Sequence, residues 1–174
     1  MNDITPHKDS QWYAVYTRSR AEKKLYATLT QKNIKCFLPL KKTLKQRSDR
    51  KAWVEEPLLS SYVFVKTVEK ERFDVLNTPG AVCYISFEGR PVAIPEKQIE
   101  SLAGIITNKA DDIEVYQGEL EKGSYISVTS GHLKGVEGEI VEIRGKKRLL
   151  LRFESLGCCV HAEVGVGEID AANY

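Results

Sequence analysis

The 174-residue chain predicts an α+β first part followed by a small all-β second part. Three observations carry that expectation. Strand-like and helix-like runs alternate through residues 1–107 in the order strand, helix, strand, strand, helix, strand and a further helix, which is the grammar of an α+β layer. From Gly123 the texture changes to short β-rich runs punctuated by Gly131, Gly135, Gly138, Gly145 and Gly157, which suits the tight turns of a small barrel. Between the two, residues 108–121 are acidic, contain Gly118 and hold no sustained period. The expected division is therefore 1–107, a linker at 108–121, and 122–174.

Residues 12–16 are aromatic and β-branched and read as the first strand. Ser19-Arg20-Ala21-Glu22 has the spacing of a capping box, so a helix is expected from about Arg20. Ala21, Leu25 and Leu29 recur every four residues on its packed face, while Arg20, Lys23 and Lys24 fall away from it. Residues 36–40 read as a second strand ended by Pro39. The basic run 41–51 is too polar to pack inside and is expected to project as a loop or hairpin tip. In the β-rich residues 58–66, Tyr62 and Phe64 share one face and Ser61, Val63 and Val65 the other. If the valines are core, the two rings face away from it.

Residues 69–76 suit a short helix closed by Asn77-Thr78-Pro79-Gly80, and residues 82–87 a strand. Pro95 opens a further helix with Ile99, Leu102 and Ile106 on its apolar face. In the second part, strands are expected at 125–128, 139–143, 149–153 and 160–164. A domain of about fifty residues buries only a thin core.

With 42% hydrophobic and 29% charged residues, the composition is that of a globular protein. No apolar run approaches the roughly 18 residues of a membrane span, and residues 1–8 lack the apolar core of a secretion signal. A cytoplasmic protein is expected. Cys36, Cys83, Cys158 and Cys159 show neither Cys-x-x-Cys spacing nor a nearby histidine pair, so all four read as reduced thiols and no metal or cofactor is implied. The net charge of +2 conceals an asymmetry: residues 1–66 hold 14 Lys/Arg against 6 Asp/Glu, and residues 67–174 hold 12 against 18. A polyanion is drawn to the first third alone.

Three segments share one pattern. The aromatic and basic run Trp12-Tyr13-Ala14-Val15-Tyr16-Thr17-Arg18-Ser19-Arg20-Ala21-Glu22-Lys23-Lys24 is followed by Ser61-Tyr62-Val63-Phe64-Val65, and then by Ile126-Ser127-Val128-Thr129-Ser130-Gly131-His132-Leu133-Lys134-Gly135. Together they resemble, in order, the layout of a NusG-like transcription elongation factor, from about residue 12 to about residue 169. The resemblance implies an N-terminal NGN-type domain, with an antiparallel sheet and flanking helices, joined by a linker to an SH3-like KOW barrel. The Arg18–Lys24 run, Phe37-Leu38-Pro39-Leu40 and the Asp49-Arg50-Lys51-Ala52-Trp53 arm resemble the specialised antiterminator branch, the UpxY-like and RfaH-like paralogs.

An aromatic on a strand is usually core. In the family, however, the Tyr-x-Phe pair belongs to an exposed apolar surface that holds the clamp helices of the largest RNA polymerase subunit. Tyr62 and Phe64 match that pair, and Tyr16 and Tyr84 match positions lining the same surface. Arg18, Arg20, Lys23 and Lys24, with Lys41 and Lys42, read by themselves as a solvated basic face; the family places this helix beside the exposed non-template DNA strand, where cations supply salt-sensitive affinity. The Ile126, Val128, Gly131, Leu133, Gly135, Gly138 and Ile140 pattern matches a KOW module, whose partners in the family include a ribosomal protein or a termination factor. A monomer that works by binding is expected.

The chain departs from the family at Ser60-Ser61, where many members carry Pro-Gly, and at His132-Leu133, where a small residue followed by Phe or Pro is common. A rival from another class is a ribosome-associated or RNA-binding KOW protein, in which the basic third holds RNA. Enzymatic readings have little support: His7, His132 and His161 sit in no recognisable catalytic motif, and although a Cys158–His161 pair is conceivable as nucleophile and base, adjacent cysteines on a strand point to opposite faces.

Overall fold

The computed structural model describes residues 9–46, 50–108, 112–118 and 120–165. The expectations for residues 1–8, for the 47–49 portion of the basic run, for 109–111 and 119 in the linker, and for 166–174 lie outside them. The chain forms two compact units, Met1–Pro95 and Glu96–Tyr174.

The first unit runs β1 (Gln11–Thr17), α1 (Glu22–Gln31), β2 (Lys35–Phe37), β3 (Leu40–Gln46), β4 (Lys51–Pro57), β5 (Tyr62–Thr67), a 3-10 turn (Glu69–Glu71), α2 (Arg72–Leu76), β6 (Ala81–Tyr84), β7 (Ser86–Phe87), β8 (Arg90–Pro91) and β9 (Ala93–Ile94). Its main sheet has the order β2-β5-β1-β6, all antiparallel, and β9 also pairs with the start of β1. Tyr13, Val15, Val63, Val65 and Tyr84 pack with Leu25 and Leu29 of α1 and Val75 of α2 into one core. The alternation of β5 therefore sends its valines inward, as expected.

The start of α1 differs from the capping-box expectation. The helix begins at Glu22, its N-cap position is Ala21, and no side chain caps it. Arg20 takes a left-handed φ of 60°, which breaks the helical path before the box can close. The Glu22 carboxylate instead accepts the Ser61 N–H at 2.8 Å and is buried there. Ala21 is half-buried and Leu25 and Leu29 are fully buried, so the packed face is as the spacing predicts.

Of the two expectations for the basic run, loop or hairpin tip, its described residues follow the hairpin and form a two-stranded ribbon. Strands β3 and β4 pair along seven positions, from Leu40↔Pro57 to Gln46↔Lys51, as a separate two-stranded sheet. Cross-strand pairs of opposite charge, Lys42 with Glu55 at 3.9 Å and Lys45 with Glu56 at 2.6 Å, let lysine-rich strands pair in solvent.

The second unit contains α3 (Glu96–Thr107), β10 (Glu114–Gln117), β11 (Ser124–Ser127), β12 (Glu137–Ile143), β13 (Lys146–Phe153), a 3-10 turn (Glu154–Leu156) and β14 (Cys158–Glu163). The strands form one antiparallel sheet in the order β10-β14-β13-β12-β11. The break between units at Pro95 and Glu96 differs from the expected one at 107/108, and the stretch expected to link the parts contains β10. On α3 the buried apolar residues are Ile99, Leu102 and Ile105, with Ile106 only half-buried. The helix lies close to the sheet: Ser101 Oγ accepts the Glu137 N–H at 3.1 Å, and a Cβ on Gly104 would stand 2.9 Å from Val136. Gly138 has an equally direct role, since a Cβ there would come within 2.8 Å of the Leu150 carbonyl oxygen on the neighbouring strand.

Candidate functional site

The aromatic residues singled out in the sequence divide between the two faces of the first sheet. Register sets Tyr16 opposite Tyr62 on one side and Cys83 on the other, so these three share a face. Ala14, Phe64 and Phe37 form the next row on that face. Tyr16 is 41% exposed and Tyr62 half-buried, and their rings meet edge to face at 5.7 Å. This pair is the accessible part of the surface.

Two expectations are corrected here. Phe64 is fully buried and stacks on Phe37 at 6.3 Å, so it supports this face rather than presenting a free ring. Tyr84 lies opposite Val15, not Tyr16, and therefore points to the other side of the sheet. There it meets Tyr13 edge to face at 5.8 Å within the helix-covered core, and burial pushes its phenol pKa up. Cys83, exposed and in the Tyr16 row, was missed; the register shift at Tyr16/Thr17 hides that placement from a sequence reading.

Arg18, Arg20, Lys23 and Lys24 are all exposed at the start of α1. Lys23 Nζ donates to the Glu55 carbonyl at 2.6 Å, which ties α1 to the foot of the ribbon. Lys42 is exposed and Lys41 half-buried on β3, so of the six named cations two lie on α1, two on β3 and two, Arg18 and Arg20, in the segment that leads into α1. Sequence reasoning also missed the ribbon's exposed apolar pair, Leu44 and Trp53, because it is visible only once the register is known.

In the second unit the glycine-spaced motif forms the β11–β12 turn. Val128 and Leu133 are buried, Gly135 takes φ 84° and its N–H reaches the Val128 carbonyl at 2.8 Å. Two polar clusters of the unit are buried or nearly so. Arg152 grips Glu139 through two 2.9 Å hydrogen bonds and donates to the Leu120 carbonyl at 3.1 Å, and this guanidinium holds the Glu139 carboxyl below its usual range. Arg148 and His161 are both nearly fully buried, with Arg148 Nη1 3.2 Å from His161 Nδ1; burial first, and then the Arg148 charge, lower the histidine's pKa.

Cys158 does not pair with His161. Cys158 is in register with Phe153 and His161 with Leu150, which sets them on opposite faces of β14. Burial pushes the Cys158 thiol up to about 11, away from the reactive thiolate. Among the described residues, no group of His, Cys, Asp or Glu could hold a metal ion, and no helix is long and apolar enough to cross a membrane.

Comparison with known proteins follows the same lines. Transcription termination/antitermination protein NusG of Streptococcus pyogenes serotype M3 is 24% identical over 175 residues, covering 92% of this chain and 96% of that protein. Its counterpart in Rickettsia felis is 24% identical over 185 residues, with 97% and 95% covered. A solved structure, "Domain interaction in Thermotoga maritima NusG", has a TM-score of 0.49 at 20% identity and covers 92% of this chain and 96% of its own. The family model for NusG, described as "Transcription termination factor nusG", matches residues 10–103. The α+β unit is of the family's NGN type, and the antiparallel second sheet is consistent with a KOW module. With more than half of its length matched, the chain belongs to the NusG family of transcription termination and antitermination factors, which are not enzymes.

Proposed function

We propose that the chain is a specialised, operon-specific antiterminator that binds RNA polymerase through the face carrying Tyr16 and Tyr62. One observation supports this most: a mutually oriented tyrosine pair, Tyr16 exposed and Tyr62 half-buried, stands on a sheet whose opposite face is filled by α1 and α2. Phe64 backs that face, and Tyr84 holds the sheet's other side. The clamp helices of the largest polymerase subunit are the proposed occupant. Arg18, Arg20, Lys23 and Lys24, with Lys41 and Lys42, then meet the non-template strand of the transcription bubble. Holding the clamp disfavours an opened, paused enzyme, so processivity follows from a shift in populations. The second unit is proposed to recruit a ribosomal protein or termination factor, and the protein to work as a monomer in the cytoplasm.

The test compares capture of core polymerase by the full chain and by a Tyr16→Ala, Tyr62→Ala variant. Truncated aromatic anchors cost about 2 kcal/mol or more each, so binding should fall by over a hundredfold while the unfolding profile is kept. Wild-type capture by this variant would reject the reading. Loss of capture only when the lysines and arginines are neutralised would favour a nucleic-acid-binding protein instead.

A further inference from the structure

We propose that the β3–β4 ribbon is a base-stacking arm for single-stranded DNA, in which the Trp53 indole takes an unpaired base and neighbouring cations hold the flanking phosphates. The starting observation is an indole left 71% exposed, directly opposite a leucine left 46% exposed, on a ribbon that among the described residues pairs with no other strand. Neither side chain contributes a core there. Two-stranded ribbons are marginal by themselves, and apolar surface of this kind marks a contact site.

Charge identifies the occupant. Lys42, Leu44 and Gln46 share one face of the ribbon with Glu55, Trp53 and Lys51. The two carboxylates of β4 are both engaged by lysines of β3, Glu55 by Lys42 and Glu56 by Lys45. Beyond Trp53, Lys51 and Arg50 are exposed. Among the described residues of the ribbon and its turn, Lys41, Lys42, Lys45, Arg50 and Lys51 thus outnumber the carboxylates Glu55 and Glu56 five to two. The Lys23 bond to the Glu55 carbonyl joins this arm to the exposed cations at the start of α1. A flat ring set among cations, continuous with a basic helix, is the arrangement that holds a single strand: bases stack on the ring whatever their identity, and the cations follow the backbone. In a duplex the base faces are already stacked, and the ring gains nothing. The inference rests on the function proposed above only for the source of the strand, a transcription bubble.

The test uses the full chain and naked oligonucleotides without polymerase, so its outcome is separate from that of the tyrosine variants. The protein has two tryptophans, Trp12 at 5% exposure and Trp53, and only the second is accessible to a base. Titration with oligothymidine should quench the fluorescence, and Trp53→Ala should abolish the quenching and weaken binding by roughly tenfold or more. Trp53→Phe should recover part of the affinity. An abasic oligonucleotide should bind the wild type no better than oligothymidine binds Trp53→Ala. Substituting Arg50 and Lys51 by Gln should lower the salt dependence, which Trp53→Ala leaves unchanged. Wild-type affinity in Trp53→Ala, equal binding of the abasic strand or of a duplex, or tighter binding of RNA than of DNA would overturn the proposal. Weakened polymerase capture by Trp53→Ala with unchanged DNA binding would assign the arm to a protein contact and overturn it equally.

Discussion

The two units of this chain treat their polar groups differently, the first leaving them in solvent and the second burying them. In the first unit the packed core is built from Val, Leu and Tyr, and the charged and aromatic residues of interest lie outside it: Arg18 and Arg20 just before α1, Lys23 and Lys24 on it, Tyr16 on β1, Trp53 on β4. The second unit draws charge inward, with Arg148 and His161 buried and Arg152 locked to Glu139. Surface groups can change binding without changing the fold, whereas a buried ion left without its partner costs stability first. Substitutions at the named surface residues of the first unit should therefore read as affinity, and substitutions at the polar clusters of the second should read as folding.

Phe64 is the exception that tests this contrast most severely. It sits in the row next to the Tyr16–Tyr62 pair, yet it is fully buried against Phe37. Phe64→Ala should lower the unfolding free energy by about 3–5 kcal/mol, the usual cost of emptying a buried ring site. Tyr62→Ala should cost far less. Denaturant unfolding of the two single variants decides the matter, and equal stabilities would return Phe64 to the exposed surface.

That contrast between neighbours shows what the sequence could and could not reveal. Alternation in β5 is legible: Val63 and Val65 point one way, Tyr62 and Phe64 the other. Alternation says which side a ring is on, but not whether something covers it. For Tyr84 the register was needed, because the shift at Tyr16/Thr17 changes which residue of β6 shares a face with Tyr16. The ribbon was hidden for another reason. Its lysines oppose strand propensity locally, and the pairings that offset this, Lys42 with Glu55 and Lys45 with Glu56, join residues more than ten positions apart. Strand β10 was obscured likewise: Glu114–Gln117 reads as acidic connector until β14 supplies its partner.

The second unit offers the next largest effect. Arg152→Ala leaves the mostly buried Glu139 carboxylate without its guanidinium and releases the Leu120 carbonyl, and should destabilise the unit by about 3 kcal/mol. Replacing both members by apolar residues, Arg152→Met with Glu139→Leu, should recover part of the loss, because no unpaired charge is then buried. Thermal unfolding monitored through the second unit would show this. If the single variant matches the wild type, the pair behaves as a surface contact and the contrast with the first unit fails.

A smaller and pH-dependent effect should come from His161. Its pKa is depressed in the folded protein, so the unfolded chain takes up the proton first as pH falls. The stabilisation is therefore complete above the ordinary value of 6.5 and declines as pH drops through the folded value. Unfolding midpoints measured from pH 7.5 downward should fall in that window, and His161→Gln should flatten the decline. Glu139 adds a second loss lower down, below its ordinary 4.5, because its pKa is also depressed. A decline that is unchanged in His161→Gln would show that the buried histidine is not its source.

The smallest expected change concerns the turn that leads into β5, where this chain carries Ser60-Ser61 in place of the Pro-Gly common in the family. Ser61 takes φ 66°, a left-handed conformation that glycine adopts without a Cβ clash and that costs other residues roughly 1–2 kcal/mol. The turn keeps the geometry of a glycine without having one. What holds it is the Glu22 carboxylate, which accepts the Ser61 N–H from the first turn of α1. Ser61→Gly should therefore raise stability, by less than about 1 kcal/mol because the added freedom of glycine in the unfolded chain offsets part of the relief. Glu22→Ala should lower it, since the half-buried Ser61 amide loses its acceptor. In the double variant the loss from Glu22→Ala should shrink, because a glycine needs less help to hold the turn. Additive effects of the two substitutions would mean that the carboxylate and the backbone conformation are independent, and that Glu22 is buried for some other reason.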